Sequence, residues 1–192
     1  MKTSRFILVF ALTAIVWISG RRAVNAGSAA TSTVVTQSTA SVRGKVKFEG
    51  SAPKAAPINM AADPSCAKQH PSPVLNQDVL TDANGDLQNV IVFIADGLAD
   101  RQFDPPSQPA AIEQKGCMYV PHMLGLQANQ PLEVVNHDPT THNVHLMPTN
   151  NREWNKAEPP GAKVDEAIPR EEVAIPVKCN VHPWMRSYVA VF

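Results

Sequence analysis

The first regular pattern of hydrophobic and polar residues lies at residues 42–48, VRGKVKF. Val42, Val46 and Phe48 would lie on one face of an extended chain, with the basic residues on the other face. This period of two is typical of a half-buried strand. Residues 89–95, NVIVFIA, form a continuous apolar run instead. Such a run predicts a central strand that is covered on both faces.

Five further short apolar segments predict strands, because they are rich in β-branched and aromatic residues. They are residues 118–126, 132–136, 143–147, 173–178 and 187–192. The connections are rich in proline, and no stretch shows a sustained helical period. We therefore expect at most a one-turn helix, near residues 97–102 or around Trp154. Many short strands between turn residues predict an all-β fold, an antiparallel sandwich or barrel.

The N-terminal residues have the charged and apolar regions of a secretory signal peptide. Lys2 and Arg5 precede an apolar run over residues 6–20, and small residues up to Ala26 suit cleavage after that position. This predicts a signal peptide over residues 1–26 and a periplasmic or secreted protein. Two arginines directly after the apolar run leave open an uncleaved N-terminal anchor.

The rest of the chain predicts a single domain over residues 41–192. Residues 27–40 are small and polar, which is typical of a flexible spacer. Signal cleavage would remove four of the 17 basic residues and none of the 17 acidic ones, which leaves a net charge of about −4. A chain with this charge has no basic stripe for a phosphate backbone, so we do not expect nucleic acid as a partner. We expect a monomer without a membrane span after cleavage.

All three cysteines lie in the part of the chain that would be exported. Disulfides persist outside the cytoplasm, and an odd number of cysteines leaves at least one thiol free. Two interpretations are open for Cys66 and Cys117: a structural disulfide, or a second metal site with His70 and His122. The disulfide is the simpler interpretation, and it would leave Cys179 as the free thiol.

Cys179-x-x-His182-x-x-Met185 puts a thiol, an imidazole and a thioether on the loop between the last two predicted strands. This soft donor set favours copper over magnesium or calcium. One cysteine with two histidines and a distant axial methionine is the ligand set of blue-copper electron-transfer sites. We expect the second imidazole from His142, at the turn before a predicted strand. His145, on that strand, is the competitor for this position.

His142-Asn143 and the Cys-x-x-His-x-x-Met loop resemble the cupredoxin family of exported type 1 blue-copper proteins, in particular its plastocyanin- and amicyanin-like members. The resemblance covers residues 118–192. It implies a Greek-key β-sandwich in which His142, Cys179 and His182 are the equatorial copper ligands and Met185 is the weak axial ligand. It also implies that Asn143 joins the two ligand-bearing loops by hydrogen bonds.

The predicted function is an electron carrier with one copper ion that cycles between Cu(I) and Cu(II). Four protein ligands leave no open coordination position for a substrate, so we do not expect an enzyme. The expected partner is a redox protein such as a c-type cytochrome or an oxidoreductase. It would dock where the His182 ring reaches the surface through an apolar patch with Pro183, Trp184 and Pro148. The alternative function is a periplasmic copper chaperone or storage protein with the same ligands.

Overall fold

The computed structural model describes residues 41–98 and 101–192. Within them, Arg43–Phe192 belong to one compact unit. The predicted signal peptide and the predicted spacer lie outside the described residues. Among the described residues, no helix has both the length and the hydrophobicity that a membrane crossing requires.

One short helix and nine strands form the regular structure of the described residues. They are α1 Pro64–Ala67, β1 Ala110–Gln114, β2 Tyr119–Val120, β3 Met123–Leu126, β4 Pro131–Asn136, β5 His142–Leu146, β6 Trp154–Glu158, β7 Lys163–Ala167, β8 Glu172–Lys178 and β9 Arg186–Val191. The strands form two sheets, in the orders β2-β1-β4-β7 and β3-β9-β8-β5-β6. The predicted all-β sandwich is confirmed. Two pairings are parallel, β1 with β4 and β3 with β9, so each sheet is mixed and not wholly antiparallel as predicted.

The hydrophobic core lies between the two sheets. Alternate residues of a strand point to the same face, and in β4 this buries Leu132 and Val134. Val144 of β5, Val177 of β8 and Val189 of β9 belong to the same buried cluster from the other sheet. Each such aliphatic side chain contributes about 1.5–3 kcal/mol by leaving water. This packing holds β8 and β9 in place, and the loop with Cys179 joins these two strands.

Four of the five short apolar segments are confirmed as strands β4, β5, β8 and β9. The fifth, residues 118–126, is divided into β2 and β3. The division falls at Pro121, which has no N–H to donate to a continued ladder.

Two predicted strands are wrong. Residues 42–48 make only an isolated bridge through Lys47, and residues 89–95 belong to neither sheet. Val92 is 77% and Ile94 is 66% exposed, so the second run is not a covered central strand. Phe93 stacks on Phe192 with 4.7 Å between ring centroids. The run therefore contacts the sandwich through side chains and without a strand ladder.

The sequence patterns missed α1, β1, β6 and β7. The helix is not at Trp154, which begins β6, and positions 99 and 100 of the other candidate segment lie outside the described residues. Strands β6 and β7 are largely polar and show no apolar run. The four-residue helix α1 begins after its N-cap, Asp63, whose side chain accepts a hydrogen bond from the N–H of Ser65.

Candidate metal centre

Strands β5 and β8 bring the upstream histidine to the cysteine loop. The two strands are antiparallel, with His145 opposite Lys178, so the start of β5 lies beside the end of β8. His142 is the first residue of β5, and Cys179 directly follows β8. The β8–β9 loop then carries His182. All three of these predicted ligands are buried.

The three side chains converge on one point. One ligand atom from each of His142, Cys179 and His182 lies within 4.8 Å of the other two. The two imidazole Nδ1 atoms are 2.8 Å apart, and Cys179 Sγ is 3.8 Å from His182 Nδ1. The structure therefore brings together the residues predicted as equatorial ligands.

Each imidazole has a carboxylate at its other nitrogen. His142 Nε2 lies 2.9 Å from Asp138 Oδ2, and His182 Nε2 lies 2.9 Å from Asp63 Oδ2. An ionised carboxylate only accepts hydrogen bonds, so each Nε2 donates, and a neutral ring then has its lone pair on Nδ1. Two lone pairs that face each other at 2.8 Å repel unless a proton or a metal ion lies between them. The donor set therefore fits a cation.

In the metal-free protein, a proton can lie between the Nδ1 atoms of the two histidines. Burial lowers the pKa of His142, but its hydrogen bonds with Asp138 and Cys179 and the charges of both groups outweigh that effect. The pKa of His142 is raised to about 9. A proton on His142 Nδ1 removes the repulsion between the two Nδ1 lone pairs at 2.8 Å, and a metal ion would replace that proton.

The surroundings of Cys179 lower the pKa of its thiol. Burial opposes the charged form, but hydrogen bonds from the His142 side chain and from the backbone N–H groups of Asn143 and His182 outweigh it. They lower the pKa of Cys179 to about 7. The thiolate is the form that binds metals, so neutral pH already favours ligation.

Asn143 connects the two ligand-bearing segments, as the resemblance implied. Its Oδ1 accepts a hydrogen bond from the N–H of Asn180 at 2.7 Å, and Cys179 Sγ lies 3.4 Å from the same oxygen. Its amide Nδ2 donates to Asn155 Oδ1 at 2.6 Å. The segment after β8 is thereby tied to β5.

Met185 closes the ligand loop through its backbone. Its N–H donates to His182 O at 2.9 Å, and its carbonyl accepts from the N–H of Cys179 at 3.2 Å. The side chain is completely buried. Its role as the axial ligand stays a prediction.

His145 lies apart from this centre. It is three positions from His142, so the two side chains leave opposite faces of β5. Its ring nitrogens lie 3.2 Å from Asn180 Oδ1 and 2.7 Å from Glu153 Oε1. The ring faces a half-exposed surface instead of the cluster.

Cys66 and Cys117 form the predicted disulfide, and Cys179 is free and buried. The interpretation of these two cysteines as a second metal site is therefore wrong, because their sulfurs are bonded to each other. His70 Nε2 instead lies 2.7 Å from the carbonyl of Gly116. The disulfide links α1 to the turn before β2.

The prediction that the His182 ring reaches the surface is wrong. Its side chain is only 3% exposed, because Asp63 lies against the Nε2 edge. Pro148 lies beyond the far end of β5, about 20 Å along the chain from His142 at 3.3 Å per residue. Pro183 is exposed, and Trp184 is half-buried with its Nε1 donating to the carbonyl of Cys117 at 3.1 Å.

The sequence patterns also missed both carboxylates. Asp138 lies four residues before His142, and its Oδ1 and Oδ2 accept the N–H groups of Gly116 and Cys117 at 2.7 and 2.8 Å. Asp63 is 119 residues from His182 in the chain. The one sequence signal for Asp63 was its place three residues before Cys66, a predicted disulfide cysteine. A disulfide predicts that this segment is attached to the domain, but it does not predict which residue Asp63 contacts.

Solved structures similar to this chain include cupredoxins. A purple cupredoxin from Nitrosopumilus maritimus is 21% identical, with a TM-score of 0.38, over 43% of this chain and 99% of that one. A variant of amicyanin with Cu(I) is 18% identical, with a TM-score of 0.38, over 43% and 80%. A Cu-containing nitrite reductase from Thermus scotoductus SA-01 is 16% identical, with a TM-score of 0.42, over 55% and 25%.

These matches name cupredoxins, the family that the sequence motifs resemble, at low identity and with TM-scores below 0.5. No protein-family model and no curated protein matches the sequence.

Proposed function

We propose that this chain is an exported electron carrier that binds one copper ion through His142, Cys179, His182 and Met185. The observation that supports this most directly is the pair of Nδ1 atoms 2.8 Å apart, each on a ring whose Nε2 faces a carboxylate. Both rings present a lone pair to the same point. The sulfur of Cys179 lies beside that point.

The donor set favours copper. Two imidazoles, one thiolate and one thioether are the ligands of blue-copper sites, whereas magnesium and calcium prefer oxygen donors. When bound, the copper ion supplies a one-electron couple between Cu(I) and Cu(II). Asp138 and Asp63 hold the two rings, so the histidines keep one orientation in both oxidation states. A fixed ligand set reduces the rearrangement that accompanies each electron.

Burial of the ligands supports electron transfer over catalysis or metal exchange. The side chains of His142 and Met185 are fully buried, and Cys179 and His182 are nearly so. A centre with four buried protein ligands has no position for a substrate. A chaperone needs an ion that is accessible to its recipient, and these residues enclose it.

We place the docking surface for the redox partner at Trp184 and not at the His182 edge. The rings of His182 and Trp184 are 5.1 Å apart between centroids, and Trp184 reaches a surface cavity of about 320 Å³. The cavity is lined by Asn59, Ala62, Asp63, Val181, His182, Pro183 and Trp184. Val181 is 56% exposed, so this surface has an apolar component. The acidic net charge of the exported chain would favour a basic partner such as a c-type cytochrome.

The test is to add Cu(II) to the metal-free full chain and record visible absorption, the copper-to-protein ratio and a voltammogram. We expect one copper per chain, an intense thiolate-to-Cu(II) band and a reversible one-electron couple. Cys179→Ser should abolish the band, and His145→Ala, the matched control, should retain it. Absence of the band would contradict the proposal. Rapid loss of copper to a chelator would favour the chaperone alternative.

A further inference from the structure

On the basis of the copper site proposed above, we propose that Asp63 is a positioning residue of that centre. It orients the His182 ring, keeps its Nε2 protonated, and places a negative charge that stabilises Cu(II) over Cu(I). The reduction potential of the centre is then set in part by Asp63, the N-cap residue of α1. This residue lies outside residues 118–192, the segment that resembles cupredoxins.

The contacts of Asp63 fix both of its oxygens. Oδ2 lies 2.9 Å from His182 Nε2 and accepts from Thr140 Oγ1 at 3.1 Å. Oδ1 accepts from the N–H and the hydroxyl of Ser65 at 2.8 and 2.6 Å. The groups that hold the carboxylate come from α1, the β4–β5 loop and the ligand loop. The side chain is 22% exposed, so it is also shielded from most of the solvent.

The disulfide anchors this carboxylate to the rest of the centre. Cys66, in α1, is bonded to Cys117, whose N–H donates to Asp138 Oδ2 at 2.8 Å. Asp138 in turn holds His142. The disulfide therefore joins α1, which follows Asp63, to the turn that holds Asp138 by hydrogen bonds, and each carboxylate supports one of the two histidines.

This geometry has a defined chemical effect. A carboxylate that accepts from the outer N–H of a ligating histidine fixes the ring orientation and raises the basicity of the ligand nitrogen. Removal of such a partner typically costs 10–100-fold in metal affinity. A nearby anion also favours the ion of higher charge. Loss of Asp63 should therefore weaken Cu(II) binding more than Cu(I) binding and raise the reduction potential.

The experiment compares Asp63→Asn and Asp63→Ala with the wild-type chain. The control is Asp165→Asn, which removes one charge from a side chain that is 70% exposed on β7. In the metal-free protein, NMR should show a slowly exchanging Nε2 proton of His182 in the wild type, and Asp63→Ala should lose it. In the copper-loaded protein, both Asp63 variants should have a higher potential than the control. Each tenfold larger loss of Cu(II) than of Cu(I) affinity corresponds to about 59 mV.

The two proposals fail separately. If the wild type binds copper but both Asp63 variants keep the potential of the control, the role of Asp63 is wrong and the copper site stands. If the wild type binds no copper, the proposed function is wrong. If the metal-free wild type shows no protected His182 ring proton, the Asp63 contact is contradicted whatever the metal result. Formation of the disulfide and an unchanged circular dichroism spectrum verify that each variant is folded.

Discussion

Gln114 and Glu158 meet in the interior beside the candidate metal centre, where the amide of Gln114 donates a hydrogen bond to the carboxylate of Glu158. Both side chains are completely buried, and Oε1 of Glu158 has no hydrogen-bond partner among the residues that the structure describes. Glu158 is also directly opposite His142 in the β5–β6 pairing. Burial raises the pKa of Glu158 to about 7, although the hydrogen bond from Gln114 and the charge of His142 oppose the rise.

This raised pKa predicts a loss of stability as the pH increases. A carboxyl whose pKa is about 7 when folded and 4.5 when unfolded holds its proton more tightly in the folded state. The stabilising contribution of Glu158 to the free energy of unfolding is therefore present below pH 4.5 and lost as the pH rises through 7. The loss is at most about 3 kcal/mol. Urea unfolding gives the free energy of unfolding of the metal-free wild type and of Glu158→Gln. The difference between these two free energies should change by up to that amount between pH 4.5 and 8.

The matched control for this measurement is Glu171→Gln, at an exposed position. It should follow the pH profile of the wild type. A difference between wild type and Glu158→Gln that does not change with pH would contradict the prediction.

Cys179 should ionise in the metal-free protein well below the usual range of a thiol. Because hydrogen bonds from His142 and from the backbone outweigh burial, its pKa is about 7 instead of 9.0. The ultraviolet absorbance of the thiolate, followed against pH, gives this value directly. His142→Ala should move the pKa upward, and His145→Ala should leave it unchanged. A wild-type titration near pH 9 would show that the hydrogen bonds do not act as described.

Asn143→Ala should destabilise the protein by about 1–3 kcal/mol, because the N–H of Asn180 loses its acceptor in a partly buried position. It also removes the oxygen that contacts Cys179, so the thiolate-to-copper band should shift. Urea unfolding and visible spectra measure the two effects. Asn155→Ala removes only the partner of the Asn143 amide, so it should leave the band in place. Equal spectra for Asn143→Ala and wild type would contradict the second effect.

Thiol counting should give one free thiol in the denatured, unreduced chain and three after reduction. The paired change Cys66→Ser and Cys117→Ser should lower the free energy of unfolding by up to about 4 kcal/mol, because the bond closes a loop with a sequence separation of 51. It should also expose the His182 ring proton to exchange, since α1 loses its anchor. Three thiols before reduction would exclude the bond.

The convergence of His142, Cys179 and His182 was predictable because the sequence signals for these residues are local. Cys179 and His182 are three residues apart on one loop, and His142 begins a strand with a clear apolar pattern. Residues 89–95 were mispredicted because an apolar run shows which side chains favour burial, whereas a strand also needs a partner with free hydrogen-bonding groups. The contact between Asp63 and His182 depends on how a distant segment folds back, and no spacing rule encodes that.

The contact between Asp63 and His182 means that the β8–β9 loop alone does not contain the whole centre. Grafting the heptapeptide CNVHPWM onto another sandwich would transfer the thiol, the thioether and one imidazole but leave behind the carboxylate that faces the imidazole. Unless the recipient supplies its own counter-charge, copper centres made in this way should differ in absorption and reduction potential from the site proposed for this chain.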